Sequence, residues 1–207
     1  MILIIIYASC GDGLMLRALV ALGYKDYESV RSKLDAFSGC ILPDGGFLCL
    51  HRIYKLKYTT PKSCIKDNMH TLLLVAECKK QGIELEYTNE LLDYFIERKI
   101  FYRSDNLDAL VLNCRSGWRM TDNFFSAEVM RVGLPQLLYA FAVLGVGDAP
   151  ELNEAWKLLK SKKDGEGKYI LEGTLTKSYL PKEKINKPSK WVTLYSLLAE
   201  KYKEESK

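Results

Sequence analysis

The chain has 207 residues, enough to bury a substantial core in a single domain. Hydrophobic residues make up 48% and charged residues 27%, the balance of an ordinary globular protein rather than a disordered or fibrous one. Thirty basic against 26 acidic residues leave a net charge of +4, scattered along the chain with no basic stripe and no interleaved aromatics, which argues against a nucleic-acid module.

The first stretch, "MILIIIYAS", is apolar but has no cationic flank and falls far short of the roughly 20 residues of a membrane span. It reads as a buried segment, or as the end of a helix whose beginning is missing, so 1–10 is expected to be an irregular or truncated start. "LMLRALVAL" (14–22) is apolar on nearly every side, which predicts a helix buried almost all round, with Gly23 as its C-cap. From Tyr27 to Phe37 the pattern changes. Tyr27, Val30, Leu34 and Phe37 form one stripe and Glu28, Arg31, Ser32 and Lys33 fill the other side, which predicts a helix with one face in water.

This alternation returns along the chain. "CIKDNMHTLLLVAEC" (64–78) reads as buried and "TNELLDYFIER" (88–98) as striped. "GLPQLLYAFAVLG" (133–145) reads as buried, and 150–162 as striped through Leu152, Ala155, Trp156 and Leu159. A last mostly apolar helix, 189–202, is opened by Pro188 and an N-cap Ser189, and 203–207 reads as a frayed tail. Ala18, Val75 and Ala142 are therefore expected to be buried. Two long stretches, 46–63 and 103–131, read as irregular loops.

The chain also repeats itself. Leu22-Gly23 aligns with Leu144-Gly145, Asp26 with Asp148, Val30 with Leu152 and Leu34 with Trp156, all at an offset of 122. The turn "LPDGGFLC" has a cousin in "KKDGEGKYIL", and pairing Asp44-Gly45 with Asp164-Gly165 shifts the offset to 120. Buried helix, striped helix and turn, repeated, is the pattern of an all-α helical repeat protein.

Six cysteines (10, 40, 49, 64, 78 and 114) lack the setting of a secreted disulfide framework, so they read as reduced thiols in a cytoplasmic protein. Cys49, His51 and Cys64, with Cys40 or His70, are the candidates for zinc, but no C-x₂₋₄-C pair is present, and small packing residues are the better account. No pattern implies a cofactor or a metal.

The segments "GLMLRALVALGY", "LPDGGFLC", "KSCIKDNMHTLL", "FIERKIFYRSD", "DGEGKYILEG" and "KPSKWVTLYSLL" resemble the prenyltransferase/squalene-cyclase-repeat superfamily, in particular its uncharacterised bacterial and archaeal prenyltransferase-like subset. The resemblance spans about Gly11 to Tyr202. It implies an α/α-toroid, a ring of helical hairpins with inner and outer helices, here an incomplete ring in one domain over 1–207. It also implies a central apolar cavity for an isoprenoid-like or other apolar ligand, phosphorylated or not. The D-x-D-D acid run of the cyclases and the zinc pattern of the protein prenyltransferases are absent, and Asp105 and Asp108 make only a D-x-x-D, so catalysis stays open. The alternatives are a catalytically inactive scaffold for a protein partner and a homo-oligomer whose second copy supplies missing hairpins.

In a ring, the starts of the inner helices gather at one mouth, where free N–H groups favour an anion. Lys62, Ser63, Arg103, Arg119 and Lys190 are the candidates to hold a head group there. His70 is a candidate base in the wall, and Trp118 and Trp191 are candidate aromatic lining, with Phe47, Phe124, Phe125, Tyr139 and Phe141 behind them. Asp44, Asp164 and Glu166 read first as turn residues.

Overall fold

The computed structural model describes residues 10–48, 63–110, 132–172 and 183–205. Within them lie seven α-helices: α1 (Cys10–Ala21), α2 (Glu28–Ser38), α3 (Ile65–Lys80), α4 (Thr88–Ile96), α5 (Leu134–Val143), α6 (Asn153–Ser161) and α7 (Lys190–Glu205). Two strands, β1 (Tyr102–Arg103) and β2 (Asn106–Leu110), pair antiparallel where an irregular loop was expected. The described residues are thus mostly helical with one small hairpin, compatible with the all-α class expected. The chain divides into two compact units, Met1–Tyr94 and Phe95–Lys207, and the division falls inside α4.

Unit one contains a helix–helix–turn–helix module, α1, α2, a tight turn and α3. α1 and α3 pack side by side and run parallel. The α1 backbone at Gly13 lies so near α3 that a Cβ there would sit 3.5 Å from the His70 carbonyl carbon. At the other end, Lys25 Nζ donates to the Gln81 carbonyl at 2.7 Å. Leu16 and Val20 of α1 are buried, as are Val30, Leu34 and Phe37 of α2 and nearly the whole of α3 from Asp67 to Cys78. Phe47 in the turn meets Phe37 and Tyr87 in an aromatic cluster, with ring centroids 5.8 and 5.3 Å away.

Unit two contains the same module again as α5, α6, a turn and α7. α5 is buried from Leu134 to Ala142, and α7 packs along it in parallel, with Tyr139 against both Tyr195 and Tyr202. Trp156 of α6 is held twice: its Nε1 donates to the Gly147 carbonyl at 2.8 Å, and Lys203 Nζ stands 4.4 Å from its ring centroid. Lys203 also pairs with Asp148 at 3.1 Å, so the residues expected to fray are helical through Glu205.

Hydrogen bonds fix the register between the two modules. Gly23 and Gly145 both end their first helices at φ near +80°, donating to Val20 and Ala142, and the same 122-residue offset relates Val30 to Leu152 and Cys40 to Lys162. It continues unbroken through the turn. The bridge Ile41–Phe47 corresponds to Lys163–Tyr169, and Gly45 (φ 75°) to Gly167 (φ 80°). The pairing of the two Asp-Gly dipeptides at 120 is therefore corrected: Asp44 corresponds to Glu166, and the left-handed glycine and the aromatic set the register. Beyond the turn the offset is 125. Phe47 N–H donates to Asn68 Oδ1 as Tyr169 N–H donates to Thr193 Oγ1, at 2.7 and 2.9 Å. Thr71 Oγ1 donates back to the Asp67 carbonyl as Ser196 Oγ does to Val192.

Burial corrects two further expectations. α3 and α5 are walled in, with Val75 and Ala142 inside, but α1 leaves Met15, Ala18 and Leu22 exposed, and α7 leaves Trp191, Leu194 and Leu197 exposed. An all-apolar helix records what could be buried, not what is.

Candidate functional site

Comparing the two modules residue by residue isolates the places where the first departs from the requirements of the fold. At offset 122, Asp12 in the first turn of α1 corresponds to Leu134, which is fully buried. At offset 125, Asp67 in the first turn of α3 corresponds to Val192, also buried. The first module places an acid pair where the second places two aliphatic side chains, at the N-terminal ends of two parallel helices.

Asp67 is 0% exposed, and among the described residues no hydrogen-bond donor reaches either of its carboxyl oxygens. Burial, with the Asp12 charge added, pushes its pKa up to about 7. Asp12 is half-buried. Next in sequence, Asn68 spends its Oδ1 on the Phe47 N–H and leaves Nδ2 buried without an acceptor. His70 is buried one turn on. Asp44 takes both the Ser63 hydroxyl (2.8 Å) and the Ser63 N–H (3.2 Å) on Oδ2, and its Oδ1 is buried without a partner. Unsatisfied buried polar atoms therefore concentrate at the start of α3, where each has a desolvation cost that a packed apolar residue would not.

Of the candidates read from sequence, Ser63 and His70 lie at this start of α3. Arg103 is exposed on the β-hairpin and paired with Asp105 at 3.1 Å. Lys190 and Trp191 meet each other in the first turn of α7, with Nζ 5.3 Å from the ring centroid. Lys62, Trp118 and Arg119 lie outside the described residues, as do Cys49, His51, Phe124 and Phe125. The positions an external anion would take at two helix starts are filled by the chain's own carboxylates: Asp44 at α3, and at α7 Glu183, which accepts from the Ser189 hydroxyl and, at 3.0 Å, from the Lys190 N–H.

Among the described residues no three metal-ligating side chains converge, and no helix is long and apolar enough to cross a membrane. A groove of about 390 Å³ in unit one is lined by Lys25, Asp26, Arg31 and Gln81. Its charges are engaged by Arg31–Asp26 at 2.6 Å and by Lys25 on Gln81, so the acid pair is the stronger candidate. Sequence reading missed that pair because an acid in a helix's first turn looks like ordinary dipole chemistry. The signal was in the repeat: carrying the alignment to both helix starts sets Asp12 against Leu134 and Asp67 against Val192. No protein-family model, curated protein or solved structure matches the chain.

Proposed function

We propose that the protein is a prenyltransferase-like α/α-toroid that binds an isoprenoid-like or other apolar ligand, and that Asp12 and Asp67 receive the ligand's polar end. The observation that carries this is Asp67, a buried carboxyl with no hydrogen-bond partner among the described residues, at a place where the fold accepts valine. A residue that costs stability without serving the packing is the mark of a functional position. On the same helix sides as the two acids, Leu16 of α1, four residues after Asp12, and Leu74 of α3, seven after Asp67, are buried and apolar, which suits the rest of such a ligand. With Asp44 and Glu183 already at two helix starts, the polar end favoured here is a hydrogen-bond donor or a cation rather than a phosphate. The parallel pairs α1–α3 and α5–α7, with the striped α2 packed on α1 and the striped α6 on α5, support the toroid as the finer reading of the fold.

The test is native mass spectrometry of the purified protein for a bound apolar molecule, followed by fluorescence titration with a long-chain isoprenoid alcohol and the matching amine. Binding weakened at least tenfold in Asp67→Val, with the amine favoured by the wild type, supports the reading; equal affinity in the variant overturns it. The exposed apolar faces of α1 and α7 favour a second reading, a catalytically silent scaffold, for which neither probe binds.

A further inference from the structure

Asp12 and Asp67 occupy the first turns of two parallel helices, and the second module shows that the fold needs neither, since Leu134 and Val192 serve there. A carboxyl that is 0% exposed and accepts no hydrogen bond among the described residues keeps its proton, because the ion would have neither water nor a donor to hold it. A second acid acts in the same direction, since two like charges resist ionising together. Among the described residues the ionisable groups around Asp67 are few. α1 brings Asp12, with Arg17 more than a turn further along; the turn brings Asp44, spent on Ser63; and α3 itself has the half-buried Cys64, the exposed Lys66 and the buried His70. Burial first, then the Asp12 charge, raise the Asp67 pKa to about 7, so below neutral pH the pair carries one negative charge and one proton.

We propose that the acid pair exchanges this proton for the ammonium group of a primary amine, so that ligand binding releases a proton. The proposal deepens the ligand reading above and rests on it, selecting the primary amine from the donor and cationic ends named there. In the exchange the Asp67 O–H bond breaks, the proton leaves to solvent, and the freed carboxylate accepts N–H bonds from the ammonium. No covalent bond to the ligand forms and nothing is oxidised. Charge favours this occupant. The pair with its proton carries one negative charge, and the pair fully ionised with one ammonium carries one again. The exchange therefore adds no net charge to a buried place, where an uncompensated charge is costly. The count of donors favours it too. An ammonium has three N–H groups, against the two Asp67 oxygens that lack a donor and the carboxyl of Asp12. An alcohol brings one O–H and no charge, so the proton stays where it is. A trimethylammonium brings the charge but no N–H, so the Asp67 oxygens stay unfilled. A divalent metal ion is disfavoured, since among the described residues no three metal-ligating side chains converge.

The experiment is isothermal titration calorimetry of the full chain with geranylamine, geraniol and geranyltrimethylammonium. Each titration is run at pH 6 in phosphate and in Bis-Tris, buffers that differ in ionisation enthalpy, so the difference in heat counts the protons released. The amine is already protonated at this pH, so a released proton comes from the protein. Geranylamine is expected to release close to one proton per molecule bound, and its affinity to rise about tenfold from pH 5 to pH 6 and to level off above pH 7. Geraniol is expected to release none, and the trimethylammonium to bind at least tenfold more weakly than the primary amine. Asp67→Asn, checked for native helix content by circular dichroism, keeps the shape but cannot titrate, and is expected to bind the amine more weakly and with no proton released. Amine binding by the wild type without proton release, or with an affinity flat from pH 5 to pH 7, overturns the exchange and leaves the ligand reading standing; this arm needs no variant. Proton release that persists in the folded Asp67→Asn protein overturns the assignment to this acid. Failure of all three probes to bind overturns both readings together.

Discussion

The charge of Asp12 on α1 reaches Asp67 on α3 across the parallel contact of the two helices, and the acid that is fully buried is the one whose protonated form the fold favours. The sign of the resulting pH dependence follows directly. The folded pKa of Asp67, about 7, is raised above the ordinary aspartate value of 3.8, so the folded state holds a proton that the unfolded state releases. This group's stabilising contribution is full below about pH 4 and is lost as pH rises toward 7, on the order of 4 kcal/mol across that window. Denaturant unfolding of the wild type from pH 4 to pH 8 is expected to show this loss, and Asp67→Asn to flatten it. A wild-type profile no steeper than the variant's contradicts the burial of an unpartnered carboxyl.

Replacing Asp67 with the residue of the second module takes the argument further. Asp67→Val supplies what the fold accepts at Val192, so the melting temperature at pH 8 is expected to rise, by an amount equivalent to about 2 kcal/mol or more. The double change Asp12→Leu and Asp67→Val is expected to be more stable still. Destabilisation by the single variant would show that the two modules are not interchangeable at this place.

Gly46 has no room for a side chain. A Cβ there would lie 2.6 Å from the Ser63 Cβ and would collide with Asn68 Nδ2. The second module has the exposed Lys168 at this place, so the close approach belongs to the first module alone. Gly46→Ala is expected to displace Asn68 from the Phe47 N–H and to lower stability by about 2–3 kcal/mol. Chemical denaturation measures the loss, and the Phe47 amide should lose its hydrogen-exchange protection in the same variant.

The helices and their order were legible because a buried stripe such as Val30, Leu34 and Phe37 has a period that no other structure shares, and because a glycine after an apolar run marks a helix end. The turn register was not. Two Asp-Gly dipeptides invite alignment, but the conformation needs a left-handed residue at Gly45 and Gly167 and an aromatic two places on, and an Asp is optional. Nor could composition separate α1 from α5. Both are apolar enough to be enclosed, and only the neighbours decide which of them is. The β-hairpin at 102–110 escaped because its strands are short, β1 holding only two residues and β2 five, too few to set a period. The acid pair was the deepest loss, since its meaning depends on what stands at Leu134 and Val192 rather than on any local pattern.

Trp156 gives the last prediction, because it separates packing from polar anchoring in the second module. Its counterpart in the first module is Leu34, an aliphatic side chain with no polar contact to make. The indole adds two: the Nε1 donor to Gly147 and the face beneath Lys203. Trp156→Phe retains an aromatic face but loses the donor, leaving the Gly147 carbonyl without it, and is expected to lower stability by about 1–2 kcal/mol. Lys203→Met removes the cation from both Trp156 and Asp148 and is expected to lower stability by about 1 kcal/mol, since that side chain is partly exposed. In a double-mutant cycle of Lys203→Met with Trp156→Leu, which installs the residue of the first module, the two losses measured by urea unfolding should fall short of additive, because each of these changes removes the Trp156–Lys203 contact. Strict additivity would mean that Lys203 acts only through Asp148 and that the end of α7 is held by charge alone.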